Sequence, residues 1–235
     1  MKKLLPFGLL VLVGCATPPN VRSVEPQVSG VAMTRAAESS LYLGVVEGLI
    51  QQRRYQAAIA FLAKYQKNEE QTPRYFKLVG DALSGAGRSD EAMAAYRQLL
   101  KSAYSAQAYN GIGRALSAAG KWAEAAQNFR SAAMIDPTSA RYLNNFGYAQ
   151  LKQNFQGVSL SPVVGELERA HELDPGNGII QGNFALALTI SGDHAKLDAL
   201  LGAIGDSDKR KQVAEFARHW APTWSNDTGS GEGIP

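Results

Sequence analysis

One cysteine, three histidines, a nearly balanced charge and no apolar run of membrane-spanning length narrow the chemistry of this 235-residue chain before any motif is read. A lone Cys15 can form neither an internal disulfide nor a cysteine-based metal cage, so its position has to explain it. The histidines, His171, His194 and His219, are spread along the chain, and none shares a short metal-ligand spacing with another His or Cys. They read as solvated positions on separate helices. No G-x-x-x-x-G-K-[ST] loop is present to cradle phosphates, and Gly111-Ile112-Gly113 sits inside a helical pattern, not at the start of a dinucleotide loop. Glu166, Glu168 and Glu172 surround Arg169 at the spacing of a solvated, ion-paired helix face, not of an acid-base pair. Basic residues number 24 against 21 acids. Without Lys2 and Lys3 the count is 22 against 21, a net charge of +1, and nothing favours a nucleic-acid partner. The expectation is a protein with no cofactor, no metal, no small-molecule substrate and no catalytic residue. At 45% hydrophobic and 19% charged residues it has the make-up of a folded soluble domain, not of a disordered chain.

What is present begins at the N-terminus. Met1-Lys2-Lys3 precedes an apolar run, Leu4 to Gly14, that ends on Cys15. As a helix of about 11 residues it would span roughly 16 Å, half the roughly 30 Å of a bilayer core, which fits a cleaved leader and not an anchor. Leu12-Val13-Gly14-Cys15 resembles a bacterial lipobox. That resemblance implies a signal peptide over 1–14, lipidation of Cys15, and attachment to the membrane through acyl chains. Ala16 after the cysteine implies, by likeness to Gram-negative lipoproteins, the periplasmic face of the outer membrane. Residues 15–34 carry Pro18, Pro19 and Pro26 and read as a tether. The stretch from Ala16 to Thr34 reaches at most roughly 70 Å when extended.

The middle of the chain repeats. Between Ala106 and Ser139 stand Tyr109, Ile112, Gly113 and Leu116, then Ala125, Phe129, Ala132 and Pro137. These residues resemble the tetratricopeptide (TPR) pattern of W-x2-L-G-x2-Y followed by A-x3-F, A and P. The spacing has a cause: each unit is two antiparallel helices whose backbones approach at small residues such as Gly113 and Ala125. About 33 residues earlier, Gly80, Leu83, Ala92, Tyr96 and Leu99 repeat the frame, with Gly85-Ala86-Gly87 as the turn. A later unit carries Leu143, Phe146 and Gly147, then Leu167 to Pro175, with extra residues between Asn154 and Ser161. Ser161 is its expected N-cap and Pro162 its first helical residue. A further unit holds Phe184, Ala185 and Leu188, and a degenerate first pair holds Gly44, Ala58 and Leu62. Val213, Phe216, Ala217 and Trp220 recur at helical spacing and predict a helix closing the last repeat. The expected fold is all-α: a TPR solenoid of about four to five helix pairs plus a capping helix over 35–221. A disordered tail is expected over 222–235.

In peptide-binding TPR domains the second, fifth and ninth places of each repeat face a concave groove. By that resemblance the groove residues are Arg74, Lys77 and Asp81, then Gln107, Asn110 and Arg114, then Arg141, Asn144 and Tyr148. Cations and amides of this kind suit a peptide with acidic side chains or a free C-terminus. Asn145 and Asn183, one place further round, are expected to hydrogen-bond between repeats.

Cys15 with its lipobox, Leu143-Asn144-Asn145-Phe146-Gly147-Tyr148-Ala149, Leu167 to Pro175 and Asn183 to Leu188 together resemble the TadD family, lipoproteins of tight-adherence (Flp) pilus assembly. The resemblance implies protein partners among pilus-assembly components and a pilotin-like role toward a secretin channel. The long turn and the weak first pair depart from it. A type IV pilus pilotin, or an adaptor for peptidoglycan or outer-membrane assembly enzymes, is the alternative.

Overall fold

The computed structural model describes residues 34–153 and 160–225, and every regular element within them is a helix. The expected leader, Cys15 and nearly all of the expected tether lie outside the described residues, as do 154–159 of the long turn and 226–235 of the expected tail. Five helix pairs follow one another: α1 (Arg35–Gln51) with α2 (Tyr55–Gln66), α3 (Pro73–Gly85) with α4 (Ser89–Arg97), α5 (Ser105–Ala118) with α6 (Trp122–Ile135), α7 (Ala140–Gln153) with α8 (Ser161–Leu173), and α9 (Gly178–Ser191) with α10 (His194–Ala203). A last helix, α11 (Ser207–Ser225), ends the described chain. The all-helical solenoid expected from the repeats is the fold.

Local sequence explains where these helices start and stop. Thr34 and Thr72 accept from the backbone N–H of Ala37 and Tyr75, and Asn177 accepts from Ile179 and Ile180, so each caps orphan donors of a first turn. Pro73 opens α3, where its missing N–H costs nothing. Pro162 does the same in the first turn of α8, which begins at Ser161 with Leu160 in the cap position, one residue earlier than the sequence suggests. Four of the turns between paired helices, those that lie wholly within the described residues, share one closure. The N–H of Arg54, Arg88, Lys121 and Asp193 donates to the carbonyls of Leu49, Leu83, Leu116 and Leu188 at 2.8, 2.9, 2.9 and 3.0 Å. The residue before each donor is left-handed: Gly87, Gly120 and Gly192 lie at φ 73 to 77°, and Arg53 stands at 58° in the first pair. A side chain in that conformation costs roughly 1–2 kcal/mol, consistent with the degenerate look of that pair.

Packing follows the repeat frame. The Tyr96 ring is lodged between Gly80 of α3 and Gly111 of α5, and a methyl at either glycine would collide with it. Phe129 sits on Gly113 and Leu167 on Gly147 in the same way. Full burial of a side chain such as Leu167 is worth about 1.5–3 kcal/mol. Gly85, read from sequence as part of a turn, is the last residue of α3, with Tyr55 packed against it. In the first pair Gly44 meets nothing within contact distance, and the buried Val46 occupies the place of the packing glycine.

The closing helix differs from expectation in two respects. It runs on through Pro222 to Ser225, three residues beyond the point where the sequence reading begins the tail. It also buries only Val213 and Ala217 of the four apolar residues expected on its inner face; Phe216 and Trp220 remain 36% and 42% exposed. Phe216 lies against Gly182 of α9.

Candidate protein-binding groove

The first helices of the five pairs line one face, and the repeat register carries its groove places to both ends. The second, fifth and ninth places read Ser40, Leu43 and Glu47 on α1, and Ile179, Gly182 and Leu186 on α9. At the N-terminal end the cations have partners. Arg74 Nη2 meets Glu47 Oε2 at 3.1 Å, and its Nη1 donates to the Ser40 carbonyl and hydroxyl at 3.4 and 3.3 Å. Lys77 Nζ donates to Asp81 Oδ2 at 2.9 Å, and the Tyr96 hydroxyl donates to the other Asp81 oxygen at 2.8 Å. Burial first, and the Asp81 charge second, push the Tyr96 hydroxyl far above its ordinary pKa, with Arg114 opposing in part. This corner is a closed polar network, stabilised from within.

In the middle, the asparagines form a ladder from repeat to repeat. Asn145 Nδ2 donates to Asn110 Oδ1 at 2.8 Å, and Asn183 Nδ2 donates to Asn144 Oδ1 at 2.9 Å. Asn144 Nδ2 joins the two rungs through Asn145 Oδ1 at 3.5 Å. Asn110, Asn144 and Asn183 are 5%, 6% and 7% exposed. Asn145 and Asn183 thus bond between repeats as expected, and their acceptors are two residues that the sequence assigned to the groove. Asn110 and Asn144 are committed to stacking because the fifth place of one helix meets the sixth place of the next. The ladder stops where that pairing fails. The sixth place of α5 is Gly111, filled by the Tyr96 ring, and the fifth place of α9 is Gly182, faced by Phe216.

This stacking of helix pairs recurs in solved structures. MamA (residues 41 to the end) from Desulfovibrio magneticus RS-1 aligns with 80% of this chain and 98% of its own at a TM-score of 0.57 and 18% identity. The Pseudomonas aeruginosa pilF structure aligns with 81% and 90% at 0.62 and 16%. YrrB, described as a TPR protein with an unusual peptide-binding site, aligns with 80% and 96% at 0.56 and 16%. In sequence, a TPR repeat-containing protein of Pseudomonas aeruginosa PAO1 is 27% identical over 231 residues, 94% of this chain and 86% of that protein. No family model matches the chain. Its fold is a TPR-like helical solenoid.

On this TPR face the two remaining arginines stand apart from the paired ones. Arg114 and Arg141 are exposed, and neither has a carboxylate within ion-pair distance among the described residues. The Arg141 guanidinium lies over the Tyr142 ring, 5.2 Å from its centre. Gln107 is half-buried, with its Oε1 covered and without a partner. Tyr148 is half-buried and edge-on to Trp122 at 6.0 Å; burial raises its hydroxyl pKa. The structure therefore sorts the candidates: Arg114 and Arg141 are available, Arg74 and Lys77 are engaged, Asn110 and Asn144 are internal, and Cys15 lies outside the described residues.

Elsewhere the charges behave as a solvated surface. Glu166 pairs with Arg169 at 3.4 Å and Glu168 with Lys196 at 2.7 Å. His194 and His219 are exposed, but His171 is not simply solvated: its ring lies tilted against Phe184 at 5.8 Å with Nδ1 buried and without a hydrogen-bond partner among the described residues, and burial lowers its pKa. Among the described residues no group of three His, Cys, Asp or Glu side chains is placed to hold a metal, and no helix is long and apolar enough to cross a membrane. The sequence reading missed the α9 end of the groove. Applying the second-fifth-ninth rule to the last repeat would have exposed Ile179 and Gly182.

Proposed function

We propose that this TPR protein is a lipid-anchored adaptor of the bacterial outer membrane that binds a component of a pilus-assembly machine and assists a secretin channel to assemble or localise. The observation that carries the binding role is the pair Arg114 and Arg141, exposed and without carboxylate partners among the described residues, on a face where Arg74 and Lys77 are neutralised. Cations held on rigid helices and left without counter-ions offer charge-assisted hydrogen bonds to a partner's carboxylates. Lipobox-like residues ending at Cys15 support the anchor, and the resemblance to the TadD family supports the tight-adherence machine. Likeness to the pilF structure favours pilus work more broadly, so a type IV pilus pilotin is the second reading.

Deletion of the gene tests the proposal. Loss of secretin multimers from the outer-membrane fraction, restored by the wild-type chain and not by a Cys15→Ala chain, is the expected result. Unchanged secretin assembly and localisation in the deletion strain would refute this function. Capture of partners by an Arg114→Glu/Arg141→Glu protein should fall at least tenfold. The same experiment on Asn110→Ala/Asn144→Ala would report on repeat stacking instead, since both amides are internal.

A further inference from the structure

We propose that the cleft between α9 and α11 receives a bulky apolar side chain of a partner peptide, and that an acidic residue of the same peptide pairs with Arg141. The proposal rests on the adaptor reading above and names the chemistry of the bound segment.

The cleft has a volume of about 600 Å³, within the range that encloses ligand groups. Its walls are Ile179 and Gly182 of α9 and Val213 and Phe216 of α11. Ile179 is 72% exposed although it occupies a groove place, and Phe216 keeps a third of its surface open beside it. Gly182 leaves the floor bare: a methyl there would stand 3.3 Å from the Phe216 ring. Of the charged side chains at the rim, Asp206 and Lys209 are engaged, while Asp208 is exposed. Asp206 accepts from the backbone N–H of Asp208 and Lys209 at 2.9 Å each, and Lys209 Nζ donates to the Gly176 carbonyl at 2.6 Å. Between these groups the cleft offers apolar surface, whose burial against an aliphatic or aromatic side chain is favourable at roughly 25 cal/mol per Å².

Charge decides what flanks that side chain. Gln107, Arg141 and Ile179 hold the second place on three successive groove helices, a row that runs from amide to cation to apolar surface. Packed helices lie about 8–10 Å apart, and an extended peptide advances roughly 3.3–3.6 Å per residue. A chain following the row thus places a carboxylate about three residues from its apolar anchor. Arg114, in the ninth place of α5, extends the positive field across the groove. Basic segments of equal hydrophobicity meet uncompensated arginines and are rejected.

The test is fluorescence polarisation with the full chain and a labelled ten-residue peptide bearing two aspartates followed, three residues on, by Leu-Phe. Controls carry lysines for the aspartates or alanines for Leu-Phe. Each control should bind at least tenfold more weakly than the parent. Ile179→Glu should weaken the parent peptide tenfold or more. Arg141→Glu should do the same and recover binding to the lysine peptide. Both substituted sites are exposed, and unchanged thermal melts confirm the fold of each variant. Equal binding of all three peptides, or unaltered affinity in Ile179→Glu, would overturn the proposal. So would a concentration-dependent dimer that Ile179→Glu abolishes, which assigns the cleft to a second copy, or tighter peptide binding after removal of 226–235, which assigns it to the chain's own terminus. Failure here with intact secretin capture would leave the adaptor role standing and move its contact elsewhere.

Discussion

Tyr96 and Phe216 both rest on a glycine of a groove helix, yet they leave opposite surfaces behind. Tyr96 is clamped on both sides, by Gly80 and Gly111, and its hydroxyl is tied to Asp81, which Lys77 holds in turn. Phe216 touches Gly182 on one side only and faces solvent on the other. The first arrangement removes surface from the groove and converts it into stability. The second keeps apolar surface open, at the end of the same face where the asparagine ladder has run out of partners. The comparison teaches that a single contact type serves cohesion or recognition according to whether the next repeat completes it.

Substitution at the two glycines breaks the comparison most sharply. Gly111→Val drives methyls into a ring that cannot move away, and a loss of about 3 kcal/mol in denaturant unfolding is expected. Gly182→Ala meets a ring free to tilt, and the better helix propensity of alanine should offset any crowding, leaving stability within about 1 kcal/mol of wild type. Equal losses at the two sites would show that Phe216 is held as firmly as Tyr96.

The ladder is next. Asn144→Ala strands the Asn183 amide between repeats and should cost about 1–3 kcal/mol in the same assay, while Arg141→Glu, three residues earlier on α7, should leave the midpoint nearly unchanged. A smaller effect involves His171. Burial holds its pKa below the ordinary value, against an opposing pull from Glu172, so the unfolded chain takes up a proton that the folded chain resists. Stability is then complete above about pH 6.5 and declines as pH falls through the folded value. The melting temperature should drop between pH 7 and 5, and the drop should shrink in His171→Leu. Smallest of all, Arg74→Ala removes a partly exposed ion pair with Glu47 and should cost less than about 1 kcal/mol, losing salt sensitivity with it.

The sequence carried the repeats because small and large residues recur at fixed places, and Gly113 with Phe129 or Gly147 with Leu167 meet as that spacing requires. It carried the inter-repeat role of Asn145 and Asn183 for the same reason. It could not say that Asn110 and Asn144 would be their acceptors, because a polar residue at a groove place looks alike whether it faces a ligand or the next helix. The offset of the first pair was hidden too: Gly44 offered a glycine near the right place, while the buried residue doing the packing is Val46. The cleft escaped because Ile179 and Phe216 carry the apolar character of core residues, and only the seating of α11 leaves them open.

Site-specific photocrosslinking in cells tests most directly the claim that this face is where a partner binds. A photoreactive residue placed at Arg114, exposed on groove helix α5, should capture an envelope protein, and the same residue at Arg130, exposed on the second helix of that repeat, should not. Capture at Arg130 with none at Arg114 would contradict it.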